Sequence, residues 1–194
     1  MSTEKYMARP GQLLEDHLHG VGAKAKIFAS KLDLGHCGEL LGLLHDIGKY
    51  SQKFQVYLNS ATGQLDPDAD EYMDPKHYKG KIDHSTAGAQ WIWRRGEANQ
   101  TAGEKLVRQM MALCVASHHS GLIDCLKPCG RNSFNKRITK DCNDTSYEEC
   151  LKNIDKILLQ RMESLSDNLL VPEMMQKIKK LTVISGGKTN WFYY

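Results

Sequence analysis

Over residues 12–33 apolar side chains recur in steps of four and three, at Leu14, Leu18, Val21, Ala25, Phe28 and Leu32, and that spacing predicts an amphipathic helix. His17 falls beside the stripe and faces inward, whereas His19 shares a side with Glu15 and Lys26 and faces solvent. The stretch LLGLLHDIGKYSQKF, residues 40–54, reads differently: Leu40, Leu41, Leu43, Leu44 and Ile47 cover most of a helix circumference, the pattern of a helix buried on nearly all sides. Residues 59–83 carry Gly, Pro and Asp without a helical period and read as a loop insertion. A third helix starts within DHSTAGAQWIW, with Asp83 or Ser85 as its N-cap and His84 on a face with Gly88 and Trp91. A fourth covers 104–119, where the stripe Val107, Met110, Met111 and Cys114 runs on to His118, His119 lines up with Val115, and Gly121 ends the helix. Residues 125–145 read as a basic loop. Tyr147, Leu151, Ile154, Leu158 and Met162 then mark another helix, and Pro172 opens a last one through Leu181. Strand-like alternation is absent, so the predicted class is all-α, a helical bundle.

Composition narrows this without changing it. The chain has 194 residues, 41% hydrophobic and 25% charged, enough to enclose one sizeable core, and a single domain over 1–194 is expected. No apolar run approaches the roughly 18 residues that span a bilayer, and the N-terminal MSTEKYMARPGQ lacks a signal-peptide core. The expectation is a cytoplasmic protein with no membrane association, whose six cysteines are structural thiols in a reducing compartment. The net charge of +3 carries no electrostatic argument by itself. Its distribution does: Lys127, Arg131, Lys136, Arg137 and Lys140 occur together with no acid among them, as a loop tracking a phosphate backbone would require. SGGKT, 185–189, ends like a phosphate-binding loop, but the first glycine such a loop needs is Thr182, so no nucleotide motor is expected.

The chemistry enters through the apolar helix. An ionised carboxylate among leucines costs several kcal/mol or more unless a counter-charge, hydrogen bonds or a metal compensates it. Asp46 and its neighbour His45 therefore require partners. Three further predicted helices each offer inward imidazole: His17, His84, and the pair His118 and His119. A single histidine on an apolar face is usually a hydrogen-bonded core residue. Five on four helices, converging with a buried aspartate, would each need an independent polar partner, whereas a divalent transition metal satisfies all of them together. The set exceeds one tetrahedral site, so two ions bridged by Asp46 are conceivable, the arrangement used for in-line attack on phosphorus.

These residues carry a family resemblance. LLGLLHDIGKYSQKFQVYL, DHSTAGAQ and ASHHSGLID, in this order and preceded by LLEDHLHG, resemble the HD-type nuclease domain of the CRISPR-associated helicase-nuclease of type I interference systems, over roughly residues 12–124. An HD pair alone suggests only the broad HD phosphohydrolase superfamily; HSTAGA and SHHSG narrow it to the nuclease branch. The resemblance implies an HD-domain bundle with the metal site in its core. It implies that His17, His45, Asp46, His84, His118 and His119 are metal ligands, and that Lys49, one turn after His45, lies near the scissile phosphate. Asp46 and Lys49 are thus the expected catalytic residues, and Lys127, Arg131, Lys136, Arg137 and Lys140 the expected DNA-binding ones. The family's site is normally completed by an aspartate near the domain's C-terminus. After Asp155 and Asp167 this chain offers only Glu173, and its final NWFYY reads like a buried helix cut short, so a C-terminally truncated domain is expected.

The function expected from these readings is metal-dependent hydrolysis of DNA phosphodiesters, mainly single-stranded, in antiviral defence. The cofactor is one or two divalent ions (Mn, Ni, Co, Fe or Zn, with Mg as a further candidate). Single-stranded DNA, a helicase domain or chain, and the CRISPR RNA-guided surveillance complex are the expected partners. An HD phosphohydrolase acting on nucleotides and an inactive, metal-stabilised recruitment module are the alternatives.

Overall fold

The computed structural model describes residues 5–95, 100–119, 121–125 and 127–184; the SGGKT and NWFYY readings lie outside these residues. The fold is all-α: α1 Leu14–Ser30, α2 Gly35–Leu44, α3 Gln52–Ala61, α4 Pro75–Tyr78, α5 Thr86–Arg94, α6 Ala102–Ser117, α7 Ser133–Ile138, α8 Cys142–Thr145, α9 Tyr147–Asn153, α10 Lys156–Ser164 and α11 Leu170–Ile184. One antiparallel β-ribbon, β1 Met7–Arg9 and β2 Gln12–Leu13, precedes them. Its turn is Pro10–Gly11, with Gly11 at φ +74°, a backbone that favours glycine. The ribbon is tied to α3 by Gln55, which accepts from Met7 N and donates to Met7 O.

The core is built on α2, where Leu40, Leu43 and Leu44 are buried together with Leu14 and Leu18 of α1, Ile92 of α5, Met111 of α6, and Leu158, Met162, Leu165 and Leu170 of the C-terminal segment. Phe28 and Leu32, expected to continue the inward stripe of α1, are instead 65% and 59% exposed. The reason is how closely α1 and α2 approach. A Cβ on Gly42 would lie 2.6 Å from Gly22 Cα, and one on Gly38 would lie 2.5 Å from the Ala29 Cβ. Small residues at Gly22, Ala25 and Ala29 therefore set the contact face, and Phe28 is turned outward. Likewise, on α6 Val107 and Met111 are buried, whereas Met110 and Cys114 of the expected stripe are exposed.

Four other expectations are corrected. Residues 40–54 are not one helix: α2 ends at Leu44, a 3-10 turn spans Ile47–Tyr50, and Ser51 caps α3 by accepting from Phe54 N. The helix expected through Ile154 is broken there, at ψ 142°, and Asp155 caps α10 by accepting from Ile157 and Leu158 N–H. Pro172 opens no separate helix, because α10, a π turn Leu165–Leu169 and α11 run on without interruption, the wider turn leaving room for a residue that lacks N–H. The loop expected over 125–145 contains α7 and α8, held down by the buried Phe134, Ile138 and Thr145. The described cysteines are free, and burial pushes the Cys37 and Cys150 thiols up to about 12, so both are inert. No helix among the described residues is long and apolar enough to cross a membrane.

Candidate metal centre

The break after α2 builds the site. His45 is the C-cap residue of α2, and Asp46, at φ −120° and ψ 16°, turns the chain so that its carboxylate points back among the helices while only 4% of the residue stays exposed. Two glycines allow this. Gly48 packs directly on the backbone of His84, and Gly88 of α5 packs on the Leu44 carbonyl, each so closely that a Cβ would overlap those atoms. They bring the start of α5 against the end of α2. His84 itself lies just before α5, and His118 is the C-cap residue of α6.

Around Asp46 the side chains converge. His45 Nε2 lies 3.1 Å and His17 Nε2 3.2 Å from Oδ2; His118 Nε2 lies 3.5 Å and His84 Nε2 3.7 Å from Oδ1. His119 meets His84, their Nε2 atoms 2.6 Å apart. Two groups thus share the one carboxylate: Asp46, His84, His118 and His119, and His17, His45 and Asp46, with potential ligand atoms within 4.8 Å of one another in each.

The second nitrogen of three rings decides what these contacts mean. His45 Nδ1 is 2.7 Å from Gly42 O, His118 Nδ1 2.7 Å from Val115 O, and His84 Nδ1 3.1 Å from Ile82 O. A carbonyl only accepts, so each Nδ1 carries a proton and Nε2 is the ring atom turned toward Asp46. Burial first, then the neighbouring His45, pushes the His17 pKa down; burial and His118 do the same for His119; and burial pushes His84 down to about 4. For Asp46, burial opposes ionisation, but the nearby imidazoles of His118 and His45 and the ammonium of Lys49 outweigh it and hold the carboxyl below the usual carboxylate range. The result is a cluster of imidazole Nε2 atoms around an anion, with Asp46 Oδ1 buried and accepting no hydrogen bond. Imidazole with carboxylate is the donor set that suits a divalent transition metal.

A family model for the HD domain of Cas3 matches residues 11–186. The chain belongs to the Cas3 HD domain family. Membership implies a CRISPR-associated, metal-dependent nuclease domain of a kind that binds divalent ions and works with the Cas3 helicase and the CRISPR machinery. No curated protein and no solved structure matched.

The structure brings the six expected ligands of this Cas3 HD domain and Lys49 into one cluster. It distributes the expected DNA-binding residues unequally. A cleft of about 660 Å³ opens beside His84 and His119, and Lys136, Arg137 and Lys140 line it; Lys127 and Arg131 are exposed elsewhere, Arg131 donating to the Cys129 sulfur. Arg137 and Lys140 are also occupied: Arg137 donates to Ser85 and Thr86 hydroxyls and Lys140 pairs with Asp83, which steadies the turn bearing His84. Two lysines of the loop insertion, Lys79 and Lys81, complete the basic lining. No sequence pattern marks them, because they reach the cleft only through the fold of 59–83. The three acids that could have stood in for a C-terminal aspartate are engaged elsewhere. Glu173 caps α2, accepting from His36 N and Cys37 N; Asp155 caps α10; and Asp167 pairs with Arg95.

Proposed function

We propose that this domain hydrolyses single-stranded DNA at the Asp46 centre, with His17, His45, Asp46, His84, His118 and His119 as the metal ligands. The observation that carries the reading is the convergence of five imidazoles around a buried carboxylate, four of them against its two oxygens and three with Nδ1 tied to a backbone carbonyl. Those backbone bonds fix each ring's orientation and protonation in advance, as ligation requires. A divalent ion bound there would supply Lewis acidity toward a phosphodiester and a hydroxide source near neutral pH. The protein's own contribution is orientation and charge. Asp46 spans both halves of the site, and Lys49 holds a cation where charge develops on phosphoryl oxygens.

The cleft beside His84 and His119 favours a polymer over a mononucleotide, since it is open and its lining includes Lys79, Lys81 and Lys136, cations suited to a phosphate backbone. The engagement of Asp155, Asp167 and Glu173 away from the centre supports a second reading, an inactive module in which metal only stabilises the fold. Circular single-stranded DNA separates the two. The full chain with Mn(II) is expected to linearise it, EDTA to stop this, and Asp46→Ala to abolish both cleavage and metal content by elemental analysis while the far-UV circular dichroism stays helical. Metal content without cleavage would favour the module; an Asp46→Ala protein with its full metal load would overturn the assignment of Asp46.

A further inference from the structure

The two oxygens of Asp46 have unequal surroundings. Oδ2 faces His45 and His17 and also lies 2.9 Å from Lys49 Nζ. Lys49 is anchored there: its ammonium donates to Ala8 O of the β-ribbon at 3.3 Å, sits 5.2 Å from the centroid of the Phe54 ring, and its side chain is only 15% exposed. Oδ1 has no such companion. It accepts no hydrogen bond, and the imidazoles of His84 and His118 stand back from it at 3.7 and 3.5 Å.

A divalent cation entering the Oδ2 half meets a resident positive charge in poorly screened surroundings, and must either tolerate it or draw Lys49 off Asp46 and away from the Ala8 carbonyl. Either course weakens binding. An ion entering the Oδ1 half meets three imidazoles and an unpaired carboxylate oxygen. We propose that the two halves fill in a fixed order, the His84–His118–His119 half first, and that Lys49 is the positioning residue that sets the order by acting as the built-in counter-ion of Asp46 Oδ2. This inference rests on the metal reading above and deepens it. It gives the ribbon a role as well, since Ala8 supplies the carbonyl that keeps Lys49 in place. Lys49 therefore keeps the second half weakly occupied until its ammonium is drawn elsewhere. A phosphate in the adjoining cleft, lined by Arg9, Gln12, His17, Lys24 and Lys49, has the charge to do that.

Titration of the metal-free full chain with Mn(II), with free ion counted by electron paramagnetic resonance and heats by calorimetry, tests it without any activity readout. Wild type should bind one ion tightly and a second at least about tenfold more weakly. Lys49→Met, which keeps the aliphatic stem, should tighten the second step by about tenfold and move the first by less than about threefold. Lys49→Arg should keep the wild-type gap, and circular dichroism of both variants checks folding. His119→Ala should remove the tight step and His17→Ala only the weak one. Two equal steps in wild type, or a second step that Lys49→Met leaves in place or weakens, would overturn the ordering while the metal centre stands. If wild type binds no Mn(II) at all, the metal reading falls, and this inference with it.

Discussion

At the scale of single residues the site is a problem of protons. A free imidazole protonates near pH 6.5 and then cannot ligate, so histidine spacing alone would place the loss of metal affinity between about pH 6 and 7. Burial moves that window. His17, His84 and His119 are all held below their ordinary value, His84 at about 4, so these rings stay neutral as the pH falls through 6.5. Mn(II) affinity should therefore fall less steeply between pH 7.5 and 6.5 than protonation of five free imidazoles would give, which a titration series over that range checks. The same shift has a stability consequence of defined sign. The unfolded chain takes up protons at these imidazoles near 6.5 and the folded chain only below that, so their contribution to the stability of the metal-free protein is fully present above about pH 6.5 and is lost as the pH falls toward 4. Chemical denaturation of the metal-free chain across that range, with and without His84→Asn, reads it out; the variant should show the shallower slope. An unchanged slope would mean that His84 is not the desolvated group the geometry makes it.

At the scale of elements, the site is held by backbone contacts that only glycine permits. Gly88 lets α5 lie on the Leu44 carbonyl, and Gly48 lets the 3-10 turn lie on His84. Adding a methyl group at either position must push α5 from α2, and overpacking of this kind costs about 1–3 kcal/mol. Gly88→Ala should therefore lower the unfolding free energy in urea by about that amount and weaken Mn(II) binding, because the same displacement carries His84 away from Asp46. Gly63, by contrast, has open space around its Cβ position but a φ of +69°, so Gly63→Ala should cost backbone strain of about 1 kcal/mol and leave metal affinity unchanged. The pair of variants separates loss of stability from loss of site geometry.

For the whole molecule, the question is where a polyanion can lie. The cleft beside His84 and His119 gathers Lys79 and Lys81 from the loop insertion and Lys136 from α7. If single-stranded DNA lies in that cleft, replacing these three lysines by alanine should reduce the magnitude of the slope of log affinity against log salt by about 0.7 for each phosphate that is no longer neutralised. Lys127→Ala with Arg131→Ala, outside the cleft, should leave the slope in place. Filter binding of an oligonucleotide to the metal-free chain at several salt concentrations distinguishes them, and a larger effect from Lys127 and Arg131 would move the DNA path out of this cleft.

Helical class and the identity of the cluster were both legible along the chain, because both are written in short-range terms. Apolar period reports helices, and a charged residue inside LLGLLHDIGK reports that something must compensate it. His17, His45, Asp46, His84, His118 and His119 were readable for that reason. What the sequence misjudged depends on who meets whom. Phe28 looked inward until the small residues Gly22, Gly38 and Gly42 let α1 and α2 pack backbone to backbone. Residues 40–54 looked like one helix until the contact between Gly48 and His84 required a turn. Lys79 and Lys81 looked like loop, and Arg137 and Lys140 like free charge, until the chain placed the first pair in the cleft and the second against Ser85 and Asp83. Periodicity measures burial along one element, whereas close approach and ion pairing are set between elements distant in the chain. That Asp46 has one oxygen held by a lysine and one left open therefore emerges only when the helices are packed together.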